Sequence, residues 1–513
     1  MYFIGIDLGT NGIKAGIVDE QGEVISSLYL ETSLISSAPG RMEQDPQDFY
    51  SGTLKIIKEI LQRSKISPKE VTAIGLDGQM GGVIGIDRNF DSITGLDMGM
   101  DIRSEKYNDY IHKKYKNKLR KITCGSPRNT PKIMWWKREY PEVYNKIIKF
   151  ITLTGYVGGK LAGLKSYQAY IDYTMLSFFG MEDILKLDWS DELCQLYDLE
   201  IEKLPTVVPP WKVVGRLNKA ASKTCGLMQG TPIVAGAGDQ PAGLLGAGLL
   251  EPGVMLDVSG SSVLLFLVVD RFVPDIENGA VMYIPSIIKG IYYAFIYING
   301  GGICLRWFRD QFLPDEKTAK RSKQKSKYDL IEEKAKLIYP GSKGLMFIPY
   351  FGGRQCPYNR SLKGAWIGLS WGHKREHMYR AILESIAYEY CIGLSHLKRL
   401  FPDYETDKIF VTGGGSSSRL WNQIKADVLG KSYLKIESFQ FALRGSGLLA
   451  GYGVGAVKDL KKAALKVDIG KNIKEFKPAK ANKKLYESYS NIYKDIFTNT
   501  LEKTYNQLVD LMD

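Results

Sequence analysis

Histidine and cysteine are scarce in this chain, and long hydrophobic runs are missing. The six cysteines, at 124, 194, 225, 304, 356 and 391, form no CxxC pair. Neither a disulfide framework nor a cysteine-held zinc site is expected, which suits a reducing cytoplasm. The apolar run Val263–Val269 is far short of the ~20 residues that span a bilayer, so no membrane partner is expected. Met1-Tyr2-Phe3-Ile4-Gly5-Ile6-Asp7 has no basic leader and no small-residue cleavage site, so a secretory signal is not expected either. A Walker loop is absent. Gly430-Lys431-Ser432 copies its ending, but Lys425 stands where the first glycine is required. Among the four histidines, His373-Lys374-Arg375-Glu376-His377 matches the metal pattern H-x-x-E-H. The other two, His112 and His396, offer no third ligand nearby, and the segment reads as the first turn of a helix.

What is present points to a large ordered protein. At 513 residues the chain exceeds the ~250–300 residues at which one core stops growing, so two lobes with a cleft are expected. A 44% hydrophobic and 24% charged composition excludes a disordered chain. The net charge of +13 raises nucleic-acid binding as a reading. The lysines are dispersed, with loose concentrations at Lys317–Lys327 and along 458–484. Neither concentration is interleaved with aromatic rings as a base-stacking surface would be. Solvated faces that attract small anions are the better reading, and no nucleic-acid partner is expected.

Strand signals at Tyr2–Asp7, Ile13–Val18 and Glu23–Leu30, joined by Gly9–Gly12 and Gln21-Gly22, predict an antiparallel meander. Residues 49–64 read as an amphipathic helix and Val71–Leu76 as a buried strand. Residues 103–215 alternate helical stretches with loops. Near Gly246–Pro252 a second half opens, and strand runs Met255–Val258 and Val263–Val269 flank Ser259–Ser262. The pattern of strand, small-residue turn and strand thus occurs once per half, where a duplication would place it. Strands interleaved with helices define an α/β class.

Three segments carry chemistry. In Gly5–Lys14 a carboxylate ends a strand and glycines follow, so backbone N–H groups can approach phosphate oxygens while Asp7 holds Mg²⁺. An ordinary hairpin turn uses the same residue types. Gly236-Ala237-Gly238-Asp239-Gln240 follows an apolar run and sets an acid where a substrate hydroxyl can reach it, the position of a general base. Asp239 also suits a helix N-cap before Pro241. Val411–Ser418 places three glycines at a strand-to-helix turn, open to a flat ring or a phosphate. Gly445-x-Gly447-x-x-Ala450 has the outline of a dinucleotide fingerprint but follows no strand, and it carries little weight.

Together with Ile74–Met80, Phe347–Gly353 and Gly413–Asp427, these segments resemble the FGGY family of carbohydrate kinases, and its xylulokinase-like branch most. The resemblance implies two ribonuclease-H-like domains of the actin/Hsp70/hexokinase superfamily: residues 1–245, holding the sugar, the first phosphate loop and the base, and residues 246–513, holding the nucleotide. It implies Asp239 as the base, Asp7 as the Mg²⁺-associated acid, and Thr10, Asn11 and Lys14 at the first phosphate loop. Gly260, Ser261, Gly302, Arg306, Gly414, Gly415 and Ser418 correspond to nucleotide contacts. Gln79, Met80, Gly81, Asp101, Arg103, Asp239 and Gln240 correspond to the sugar side.

The implied activity is ATP- and Mg²⁺-dependent phosphorylation of a primary hydroxyl of a small sugar, a pentulose such as xylulose, in the cytoplasm. Another ketose, a polyol, an aldonate or glycerol is the alternative, and a non-kinase ATPase of the same superfamily is the rival from another class. A homodimer is left open. The sugar side departs from the xylulokinase pattern, because Gly81 replaces a histidine, Gly99 a tryptophan and Gln240 an asparagine. A roomier, less polar sugar pocket is the expectation.

Overall fold

The computed structural model describes residues 1–38, 40–123, 125, 127–313, 326–436, 440–467 and 473–510. Cys124 and most of the lysine-rich stretch near 320 lie outside the described residues. Two seven-stranded sheets build two lobes.

The first sheet contains β1 (Tyr2–Gly9), β2 (Gly12–Asp19), β3 (Val24–Glu31), β4 (Val71–Gly78), β5 (Val213–Arg216), β6 (Pro232–Val234) and β7 (Ala237–Gly238). Its order is β5-β6-β4-β1-β2-β3, with β7 also pairing β4. β1, β2 and β3 are antiparallel, whereas β4 runs parallel to β1 and β6 parallel to β4. Both faces of β1 are covered, so its interior residues from Phe3 to Leu8 are all buried, as expected of a strand with helices on either side. One of those helices, α1 (Pro46–Ser64), begins three residues before the sequence pattern suggests. Asp45 caps it by accepting a hydrogen bond from the Gln47 N–H at 2.8 Å, and Pro46 fits the first turn. The interval 103–215 holds short strands among its helices, including Lys149–Ile151 and Tyr170–Asp172.

The second sheet consists of β8 (Met255–Ser259), β9 (Val263–Val269), β10 (Met282–Pro285), β11 (Tyr292–Ile298), β12 (Lys408–Thr412), β13 (Ser432–Ile436) and β14 (Ile473–Phe476). Its order is β10-β11-β9-β8-β12-β13-β14. Here too three consecutive strands, β11, β9 and β8, are antiparallel, and two parallel strands, β12 and β13, follow. The run β3-β2-β1-β4-β6 therefore repeats as β11-β9-β8-β12-β13. The weak internal repeat in the sequence is a repeat of topology.

Five further helices position the site: α2 (Asp239–Gly246), α3 (Gly302–Phe312), α4 (Arg375–Leu400), α5 (Arg419–Leu429) and α6 (Phe441–Gly453). The strands divide between the lobes near residue 246, but the helices do not. α6 comes from the second half of the chain and packs on β1, β2, β4 and α2 of the first lobe. Residues 246–513 therefore lend a helix, α6, to the packing of the first lobe. The reason is steric. A Cβ on Gly75 would lie 2.1 Å from Ser446 O, and one on Gly5 2.2 Å from Leu443 O, so the helix backbone rests directly on the strands. Gly445 does the same against Ala242 O at 2.0 Å. The glycine pattern of 445–450 serves helix packing.

Candidate active site

The β1–β2 hairpin sets Lys14 directly across from Asp7. Lys14 Nζ lies 3.0 Å from Asp7 Oδ2. Burial opposes the lysine charge, but the charge of Asp7 and its hydrogen bond outweigh that and raise the Lys14 pKa. On the other side of β1, Asp77 of β4 is in parallel register with Asp7. The strand β7 pairs with β4 through Ala237 and Asp77, so Asp239 follows just beyond the same sheet edge. Three carboxylates thus meet at the carboxyl ends of three adjacent strands, where open α/β sheets place their ligands.

Asp239 is the first residue of α2 and not its N-cap, which is Gly238. Its Oδ1 accepts a hydrogen bond from Gln240 N at 2.8 Å. Burial, reinforced by the nearby Asp7 charge, pushes its pKa up to about 7. A carboxylate tuned to that range can take a proton at neutral pH, which an ordinary aspartate does poorly. Burial and the Asp7 charge also hold the Asp77 carboxyl well above its usual range. Ser446 of α6 donates to Asp77 Oδ2, and Asp77 Oδ1 has no partner.

A cavity of about 620 Å³ opens over these groups. Asp7, Thr10, Asn11, Lys14, Asp239 and Gln240 line it from the first lobe, and Val258, Thr412 and Gly413 from the second. Both halves of the chain form its walls. Gly260, Ser261, Gly302, Arg306, Gly414, Gly415 and Ser418 do not line this cavity. They gather on the second lobe beside it. The turn after β8 folds onto the start of α3, with Gly302 N donating to Gly260 O at 3.0 Å and Ile303 N to Ser261 O at 2.9 Å. Arg306 is exposed on α3. Gly413 turns with φ +86° and lies against Ser259, where a Cβ would meet Ser259 O at 2.7 Å. Gly414 faces open space, and Ser418 caps α5 by accepting from Trp421 N at 3.0 Å.

On the sugar side, Gln79 is buried and donates to Gln44 Oε1 at 2.9 Å, while Gln44 Nε2 donates to Thr10 O at 2.9 Å. This ties Gln79 to the first phosphate loop. Met80 is buried, its sulfur under Gly238. Gly81 and Gly99 face one another. A Cβ on Gly81 would lie 3.1 Å from Gly99 Cα and 3.6 Å from the Phe178 ring. A side chain at Gly81 would be tight against Gly99, whereas a Cβ on Gly99 would make only ordinary contacts at 3.5 Å or more.

Asp101 accepts from Met42 N and from Arg103 N and Nε. Arg103 Nη2 also reaches Glu43 at 2.7 Å and Asp97 at 2.8 Å. Its guanidinium sits over the Trp135 ring at 4.7 Å. Neither Asp101 nor Arg103 lines the cavity. Sequence reasoning missed Glu43, Gln44 and Asp97 as members of this cluster, because no local motif marks them. The histidine pair of H-x-x-E-H holds backbone: His373 Nδ1 accepts from Ser370 N at 2.9 Å and His377 Nδ1 from Lys374 N at 3.2 Å. Among the described residues no helix is long and apolar enough to cross a membrane.

Two family models match the chain: the N-terminal domain of the FGGY family of carbohydrate kinases over residues 2–246, and its C-terminal domain over residues 258–454. The chain belongs to the FGGY family of carbohydrate kinases. It is 26% identical to a xylulose kinase of Bacillus subtilis (strain 168) over 509 residues, covering 97% of each chain. It is 29% identical to a gluconokinase of Bacillus licheniformis over 465 residues, covering 89% of this chain and 88% of that one. Among solved structures, the xylulose kinase of Lactobacillus acidophilus superposes with a TM-score of 0.85 at 23% identity, covering 98% of this chain and 99% of that one. The gluconate kinase of the same organism gives 0.86 at 23% identity, with 99% of each chain covered. The two-lobe kinase fold is thereby established, and relatives with two different sugar specificities share it.

Proposed function

We propose that the protein phosphorylates a primary hydroxyl of a small neutral ketose, a pentulose such as xylulose, with MgATP as the donor, in the cytoplasm. The observation that carries this reading is Asp239, raised toward neutral pKa, on a cavity that it shares with Lys14 and the second-lobe residues Thr412 and Gly413. The sugar oxygen attacks the γ-phosphorus as Asp239 takes its proton. The bond from phosphorus to the bridging oxygen breaks, and ADP leaves with the electron pair. Lys14 and the backbone N–H groups of Thr10 and Asn11 offset phosphate charge on one side. Gly260, Ser261, Gly414, Gly415 and Ser418 hold the nucleotide on the other, and Gly302 and Arg306 extend that surface. The Asp7 carboxylate, a hard oxygen donor at the cavity edge, suits the Mg²⁺ that arrives with ATP and neutralises its phosphates.

Gln79, Met80, Gly81 and Gln240 border the sugar. Asp101 and Arg103 brace that wall. Arg103 is already bonded to Glu43, Asp97 and Asp101, so it offers little to an aldonate carboxylate, which favours a neutral ketose over gluconate. A coupled ADP-release assay against a panel of ketoses, polyols and aldonates tests the reading. A pentulose should give the highest kcat/KM. Preference for gluconate would move the assignment to an aldonate kinase, and the absence of any sugar-stimulated ADP release would remove the kinase reading.

A further inference from the structure

Under the second-lobe glycine turns lies a charged pair that the proposed chemistry does not use. Lys425 Nζ on α5 is 2.7 Å from Asp257 Oδ2 on β8, and both side chains are 0% exposed. Ser259 Oγ donates to Asp257 Oδ1 at 2.8 Å, and Lys425 Nζ donates to Ser259 Oγ at 2.5 Å. Tyr390 of α4 donates its hydroxyl to Asp257 Oδ1 at 2.8 Å. The ammonium sits 3.9 Å from the centre of the Trp421 ring. Burying two charges costs several kcal/mol each before pairing, and an apolar pair of similar size is often as stable. Stability alone is therefore a weak reason for this pair.

Its contacts lead elsewhere. Ser259 immediately precedes Gly260 and Ser261, and its carbonyl oxygen is the atom against which Gly413 packs. The Trp421 ring, beneath the ammonium, lies 2.5 Å from where a Gly415 Cβ would be, and the Trp421 backbone N–H donates to Ser418 Oγ. One buried cation thus touches the roots of both turns assigned to the nucleotide. We propose that Lys425 and Asp257 are positioning residues that hold the Gly260–Ser261 and Gly413–Ser418 turns in register for ATP. The proposal rests on the reading that those turns bind the nucleotide. Neither residue meets ATP itself, since neither is exposed. The register is set by a point charge with fixed hydrogen-bond directions, which an apolar pair lacks even when it fills the same space.

Replacing one partner strands the other as a buried charge, and such a variant can fail to fold for that reason alone. The test is therefore the double variant K425M/D257L, with K425R beside it. Binding of a non-hydrolysable ATP analogue with Mg²⁺ is measured by calorimetry, alongside the KM for ATP, the KM for the best sugar of the panel and the melting temperature. The double variant should melt near the wild type, yet bind the analogue at least tenfold more weakly and raise the KM for ATP by a similar factor, with the sugar KM unchanged. Wild-type analogue affinity in the folded double variant overturns the proposal, as does an equal loss for ATP and sugar. If the double variant does not fold, folded K425R decides: at least tenfold weaker analogue binding supports the proposal and wild-type binding overturns it. A wild-type protein that does not bind the analogue at all removes the nucleotide reading, and this inference with it.

Discussion

Asp239 and Asp77 are two aspartates on one sheet edge, and their partners separate their roles. Asp239 borders the cavity, whereas Asp77 is fully buried and held by Ser446. A base acts in its ionised form, so raising the Asp239 pKa to about 7 moves the loss of activity into an accessible range. In the free enzyme, kcat/KM for the sugar should be level above about pH 7 and fall tenfold per unit below it. A profile that stays flat down to pH 5 would assign the proton transfer to another group. Asp7 and Asp239 were legible in the sequence because each follows a short apolar run beside glycines, whereas Lys14 lies within a strand and is singled out only by the family resemblance. The Ser446–Asp77 bond was not legible, since its partners are 369 residues apart and no local pattern joins them. The Lys425–Asp257 pair, 168 residues apart, was hidden for the same reason.

At the scale of elements, the pattern of apolar residues located β1, β2, β3, β4, β8, β9 and α1, but gave no range for β10, β11, β13 or β14. Ends shifted where a cap decided them, as Asp45 does for α1. What periodicity could not give was which lobe a helix joins. α6 carries glycine at 445 and 447 and alanine at 450, which outline a dinucleotide fingerprint without the strand it needs and act as a contact surface in space. The Gly75→Ala variant should therefore strain the β4–α6 contact, because its Cβ would meet Ser446 O at 2.1 Å. Overpacking of this kind costs about 1–3 kcal/mol, readable as a lowered urea midpoint. An unchanged midpoint would mean that α6 is free to shift. The Gly81–Gly99 approach makes a second expectation. Restoring a histidine by G81H should weaken sugar binding and raise KM, because its Cβ would lie 3.1 Å from Gly99 Cα and the two backbones would have to separate. A lowered KM for xylulose would show that the wall opens readily.

For the whole molecule, the duplicated sheet topology explains why one cavity takes residues from both ends of the chain. Separating the lobes would pull Thr412 and Gly413 away from Asp239, and closing them would exclude water that competes with the sugar hydroxyl. Small-angle scattering should show a smaller radius of gyration with sugar and a non-hydrolysable ATP analogue than without them. ATP hydrolysis in the absence of sugar should be slow. An unchanged radius together with brisk sugar-independent hydrolysis would contradict gating by closure. The division into two lobes followed from length alone, but the crossing of α6 back to the first lobe did not, because it depends on contacts between distant residues.

The central claim is that Asp239 takes the proton from the sugar as phosphate moves across the cleft. It is tested most directly by comparing sugar-phosphate formation in wild type and Asp239→Asn by phosphorus NMR, with analogue affinity measured on both. The account predicts a loss of about 10²–10⁴-fold in kcat with analogue binding nearly intact. Turnover in Asp239→Asn close to that of the wild type would contradict it.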